Sequence, residues 1–148
     1  MNKPNTLQLH FTDNRIHHCR LVEIPKIKDH RGNLAVVENG ILPFKIQRVY
    51  YLFDVPAGAY RGGHAHKEQM EFLIAISGSF QVILDDGQQK KNVMLNRPDQ
   101  GLLIPTGIWR ELMDFSQGSV CLVLNSDKFA ESDYIRDYDK FKLLKFNQ

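Results

Sequence analysis

The chain has 148 residues, 43% hydrophobic and 24% charged, with 19 Lys and Arg against 17 Asp and Glu. These are the proportions of one globular domain, expected to span residues 1–148, and they exclude disorder, collagen-like repeats and coiled coil. A formal charge of +2 gives no mandate to bind nucleic acid or an anionic membrane, and no apolar run approaches the roughly 20 residues of a membrane-spanning helix.

In chain order, Met1 to Thr12 lacks the basic-then-apolar pattern of a signal peptide, so a cytoplasmic protein is expected. The first 20 residues carry no clear period. Cys19 and Cys121 match no metal or redox spacing and read as free thiols in a reducing compartment. From about Leu21 to Asn125 the sequence reads as short strands. Ile46 to Phe53 contains Val49, Tyr50, Tyr51 and Phe53, which suit a pleated surface. Phe80, Val82 and Leu84 alternate with Ser79, Gln81 and Ile83, and Val120, Leu122 and Leu124 alternate with Ser119, Cys121 and Val123. Turn signals such as Asn39-Gly40, Ser77-Gly78, Asp85-Asp86-Gly87 and Gln117-Gly118 recur about every ten residues, the spacing of an all-β sandwich or barrel. Ser132 to Phe146 is the exception: apolar residues at Tyr134, Ile135, Tyr138, Phe141 and Leu144 predict a short helix capped by Ser132 or Asp133. The acidic residues from Asp127 to Asp139 read as its solvated face. Neither GxxxxGK[ST] nor GxGxxG is present.

The informative segment is GAYRGGHAHKEQMEFLIAISG, Gly58 to Gly78. His64 and His66 stand two apart, so on a strand both imidazoles face one way. The glycines before them allow close backbone approach to a ligand. The spacing is Gly, five residues, His-x-His, four residues, Glu71, six residues, Gly, and it resembles the first cupin motif at every position. Pro105-Thr106-Gly107-Ile108-Trp109-Arg110 is a looser match to the second, which ends in histidine where this chain has Arg110. In metal-binding cupins that histidine is the fourth ligand. An arginine there repels a metal and cannot be deprotonated to bind one, so the expectation is no metal. A three-ligand site of His64, His66 and Glu71 is the alternative.

Four blocks, RVYYLFDV from Arg48, RGGHAHK from Arg61, GSFQVILDDG from Gly78 and SDYIRDYDKF from Ser132, resemble the dTDP-4-keto-6-deoxy-D-glucose 3,4-ketoisomerases, cupins related to the dTDP-sugar 3,5-epimerases. The resemblance covers about residues 21 to 145. It implies a jelly-roll antiparallel β-barrel, a homodimer exchanging N-terminal strands, no metal, and a dTDP-linked keto sugar as substrate, in deoxy- and amino-sugar biosynthesis of the kind that feeds O-antigen and lipopolysaccharide. Several relatives carry histidine at the position of Arg110, which leaves the role of that residue open.

The chemistry follows from the substrate. A ketone at C4 acidifies the hydrogen on C3. Its removal gives an enediol, and protonation at C4 leaves the ketone at C3. No redox cofactor is needed, only a base near neutral pKa and a donor to the oxyanion. His64 and His66 are the expected acid/base pair, with His64 the base at C3 because Arg61-Gly-Gly-His64 resembles the Arg-Gly-x-His block of the epimerases. Tyr50, on one strand face with Arg48, is the candidate donor to the enediol oxygen. Arg61, with Arg48 and Lys67 behind it, is expected to hold the diphosphate. Trp109 reads equally as a core residue or a stacking partner for thymine; His10, His17, His18 and His30 read as surface or loop residues. Rival readings are a metal-dependent cupin enzyme, a non-catalytic sugar-binding cupin and a 3,5-epimerase.

Overall fold

Phe80, Val82 and Leu84 fall on one face of a strand, and that face meets the core. The computed structural model describes residues 10–38 and 40–146. Among these residues twelve strands precede one α-helix: β1 (Arg20–Glu23), β2 (Lys26–Asp29), β3 (Gly32–Ala35), β4 (Arg48–Leu52), β5 (Arg61–His66), β6 (Glu71–Ser77), β7 (Phe80–Asp85), β8 (Lys90–Leu95), β9 (Gln100–Ile104), β10 (Trp109–Met113), β11 (Val120–Asn125), β12 (Tyr134–Ile135) and α1 (Tyr138–Phe146). They pair antiparallel in two five-stranded sheets, β1-β9-β6-β11-β4 and β12-β5-β10-β7-β8, with β2–β3 as a separate hairpin. This is the all-β cupin architecture the sequence leads one to expect.

The two sheets face each other across one apolar core. Leu73 and Ala75 of β6, Leu102 and Ile104 of β9, and Cys121 and Val123 of β11 meet Phe80, Val82 and Leu84 of β7, Val93 and Leu95 of β8, and Leu112 of β10. The first sheet is covered on its outer face too. Phe72, Ile74, Leu103 and Leu124 pack beneath Ile24, Val37, Ile41, Leu42 and Phe44. Burial on both faces explains why β6 reads as the continuous apolar run Phe-Leu-Ile-Ala-Ile and not as an alternation.

The C-terminal segment differs from the helix expected from Ser132. Glu131–Asp133 form one 3₁₀ turn, Tyr134 and Ile135 pair with His66 and Ala65 as β12, and α1 begins only at Tyr138. The cause is Asp133. Its carboxylate accepts the amides of Glu68 and Gln69, so it is consumed by the β5–β6 connection and cannot cap a helix. Asp137 takes the cap, accepting the Lys140 amide at 2.8 Å. Nor is the acidic stretch uniformly solvated, since Asp133 is buried.

The helix closes the outer face of the second sheet, where Phe141 packs with Trp109, Ala65 and Ile135. Trp109 is therefore a core residue, and its indole N–H donates to Glu111. At the end of α1, Lys145 is buried and donates to the carbonyls of Asn14 and Gly107. Burial, with Arg15 next, pushes its pKa down to about 8. His10, His17 and His30 are exposed and His18 half-buried; Cys19 and Cys121 are free thiols whose pKa burial raises to about 12.

Candidate active site

β5 and β10 pair with an irregularity: His64 stands opposite Arg110, but Leu112 stands opposite Arg61, so β5 holds one extra residue. This is a bulge at Gly62-Gly63, with Gly62 at φ +77°. A Cβ at position 62 would collide with the Arg110 guanidinium. The glycine pair thus lets Arg110 turn inward beneath β5, and period two then aims His64 and His66 at the same interior.

What meets there is a buried charge network. Arg110 holds Glu71 through two parallel bonds, Nε to Oε1 and Nη2 to Oε2, each 2.9 Å. Arg110 Nη2 also donates to the Tyr50 hydroxyl at 2.9 Å, and that hydroxyl donates to Glu71 Oε2 at 3.1 Å. His64 Nε2 lies 3.1 Å from His66 Nε2, and Glu71 Oε1 lies 3.7 Å from the first and 3.4 Å from the second. His66 Nδ1 is 2.8 Å from Asp133 Oδ2.

The environment pushes the two histidines apart. Burial, then the Arg110 charge, lowers the pKa of His64 to about 4, so at neutral pH it is an uncharged imidazole. Burial works against the charged form of His66 as well, but Glu71 and Asp133 outweigh it and leave its pKa raised. Burial likewise opposes ionised Glu71, yet Arg110 holds it well below the usual carboxylate range. Tyr50 is driven up by burial and by Glu71, and stays a phenol.

A cavity of about 420 Å³ opens onto this network. Arg48 and Tyr50 of β4, Arg61 and His64 of β5, and Arg110 of β10 line it. The segment after β11 supplies the remaining wall with Phe129, Tyr134 and Arg136. Arg48 lies over the rings of Tyr50 and Phe129, at 5.2 and 5.4 Å, and donates to the Tyr134 hydroxyl at 2.9 Å. Its buried Nε has no hydrogen-bond partner. Arg136 covers Tyr134 at 4.3 Å and is paired with Glu131. Neither Arg48 nor Arg61 has a carboxylate partner among the described residues, so two uncompensated cations border the cavity. Of the residues singled out from sequence, His64, Tyr50, Arg48 and Arg61 line this space together. His66 lies behind His64, and Lys67 is exposed and outside the lining.

A cupin invites the question of a metal. His64, His66 and Glu71 bring three ligand-type atoms within 4.8 Å of one another. The donor set does not suit a divalent ion. Both Glu71 oxygens already accept from a guanidinium that cannot lose its proton, and that fixed cation occupies the quarter from which a fourth ligand would come.

The FdtA family model (WxcM-like, C-terminal) matches residues 17–145. The chain belongs to this family. It is 45% identical over 124 residues to the TDP-4-oxo-6-deoxy-α-D-glucose-3,4-oxoisomerase of Aneurinibacillus thermoaerophilus, a match covering 83% of this chain and 89% of the relative. Its fold superposes on a 3,4-ketoisomerase from Helicobacter canadensis with a TM-score of 0.84 at 42% identity, covering 86% of this chain and 96% of that one. A mutant 3,4-ketoisomerase from Thermoanaerobacterium thermosaccharolyticum, in complex with TDP-4-keto-6-deoxyglucose, matches at 0.84 and 36% identity over 88% and 97% of the two chains.

Within this FdtA-family site, Asp133, Phe129, Tyr134 and Arg136 escaped the sequence reading as functional residues. The block SDYIRDYDKF carried the signal for Asp133, Tyr134 and Arg136, but a helical period read through Tyr134 with Asp133 as a cap concealed it; Phe129 lies outside the block.

Proposed function

We propose that this enzyme, a sugar 3,4-ketoisomerase, moves the ketone of dTDP-4-keto-6-deoxyglucose from C4 to C3. The observation that carries the reading is a neutral, buried His64 at the wall of a cavity bordered by two cations that have no carboxylate partner among the described residues. His64 takes the C3 proton. The oxygen that gains charge meets the Arg110 cation, fixed before the reaction begins by its bonds to Glu71 and Tyr50; the Tyr50 hydroxyl, whose one proton rests on Glu71, donates to that oxygen by swinging the proton away from the carboxylate. His66 stands next to His64 on the side away from the cavity and accompanies its change of charge. The O3 hydroxyl proton passes to the neighbouring O4, and returning the first proton to C4 leaves the ketone at C3, a redox-neutral isomerisation that needs no cofactor. Arg61 and Arg48 hold the diphosphate, where a planar fork fits phosphate oxygens bidentately.

The same reading includes a single cupin domain over residues 1–148 acting without metal in the cytoplasm, in biosynthesis of deoxy and amino sugars such as those of O-antigen. It also includes a homodimer. The β2–β3 hairpin exposes Ile27 and Leu34 and pairs with no other strand of the described chain, and the edge strand β4 exposes Val49 and Tyr51. These are the surfaces a second copy would cover.

The test is NMR of the product formed from dTDP-4-keto-6-deoxyglucose in D₂O. A ketone at C3 with solvent deuterium at C4 is expected, unless one shielded base carries the proton across. Epimerisation at C5 or no turnover defeats the reading, as does activity lost on chelation and restored by a divalent ion.

A further inference from the structure

Asp133 lies outside the cavity lining, yet each bond its carboxylate makes bears on the histidine pair or on the wall in front of it. Oδ1 accepts the Glu68 amide at 2.7 Å; Oδ2 lies 3.3 Å from the Gln69 amide and 2.8 Å from His66 Nδ1. An ionised carboxylate only accepts, and amides only donate. The His66 Nδ1 that touches this carboxylate therefore carries a proton. Among the described residues no other group reaches that nitrogen. Glu71 from β6 and His64 on β5 both approach Nε2. With Nδ1 committed, Nε2 is the one His66 nitrogen left to face His64.

The same residue fastens the substrate wall to the base. The Lys67 amide donates to the Asp133 carbonyl, and the next residue, Tyr134, pairs with His66 in β12. The Tyr134 ring lies 4.8 Å from the His64 ring and 4.5 Å from the His66 ring. Taking the ketoisomerase reading as its basis, we propose that Asp133 is a positioning residue. It fixes the tautomer and ring orientation of His66, so that Nε2 is always presented to His64, and it locks the segment bearing Phe129, Tyr134 and Arg136 against that pair.

The experiment combines nitrogen-15 NMR of histidine-labelled full-length enzyme, bound to dTDP, with steady-state kinetics. Wild type should show His66 protonated at Nδ1. Asp133→Asn meets three donors with a single acceptor, so His66 should shift toward the Nε2–H tautomer. Its kcat should fall by about 10- to 100-fold, at or below the lower end of the roughly 10²–10⁴ a general base contributes, while KM changes less than about threefold because Arg48 on β4 and Arg61 on β5, which hold the diphosphate, keep their places. Asp133→Glu, which restores two acceptors, should recover the Nδ1–H signal and part of the rate. A wild-type spectrum with Nδ1 bare overturns the proposal, and so does an Asn variant with wild-type kcat. If the Asn variant does not fold, the wild-type spectrum decides. Absence of wild-type turnover would defeat the ketoisomerase reading instead, leaving the tautomer measurement to stand on its own.

Discussion

Replacing His64 by asparagine keeps hydrogen bonding and approximate size but removes the base. The expected loss in kcat is at least about 10²-fold, with dTDP affinity by calorimetry little changed. Arg61→Ala should do the reverse, raising KM with a smaller effect on kcat, as loss of uniform binding does. The pH profile separates a buried base from an ordinary one. The neutral form of His64 is the active one, and with its pKa lowered to about 4 it remains neutral on the acid side. Accordingly kcat/KM should stay level as pH falls through 6.5 and toward 5. An acid limb centred near 6.5 would show that His64 titrates like an exposed imidazole and is not held as described. Stability carries the same sign. The unfolded histidine begins to protonate near 6.5 and the folded one only near 4, so the contribution of His64 is present above 6.5 and is lost as pH falls through 4.

Glu71 sits on β6 and Arg110 on β10, in opposite sheets, and their paired bonds pin the two layers together at the site end of the core. Glu71→Ala strands a guanidinium in an apolar interior and should cost about 3–5 kcal/mol, read as a shift in denaturation midpoint. Replacing both residues by apolar side chains of similar volume should cost far less in stability while abolishing activity. Part of this arrangement was legible in the sequence. Period two placed His64 with His66, and Arg48 with Tyr50, on common faces, because a strand offers a side chain only two directions. Arg110 announced itself as a cation where a ligand is expected, though not as the counter-charge of Glu71. Asp133 was illegible because its partners are amides more than 60 residues away, and long-range acceptors leave no local period. Its resemblance to an N-cap then set the cap four residues before Asp137, which holds it in the structure. The bulge in β5 was read only as room for a ligand, since a Gly-Gly pair does not show which neighbour needs the space.

The hairpin β2–β3 and the exposed face of β4 leave aromatic and branched side chains in water. Sedimentation at micromolar concentration should show a dimer. Ile27→Asp with Leu34→Asp should shift it to monomer if the hairpin forms the contact, and a wild-type monomer would sink the dimer proposal. The C-terminal helix is organised differently, by Lys145. Its ammonium group grips the carbonyl of Asn14 across 131 residues of chain, so one side chain closes nearly the whole polypeptide into a ring. Closing so large a loop costs little more entropy than closing a smaller one, and the helix that carries the contact is only nine residues long. The seam is therefore a place where the ring can part without the sheets noticing. Hydrogen exchange should find the amides of α1 and of Ile16 opening together at a lower free energy than those of β6, which await global unfolding.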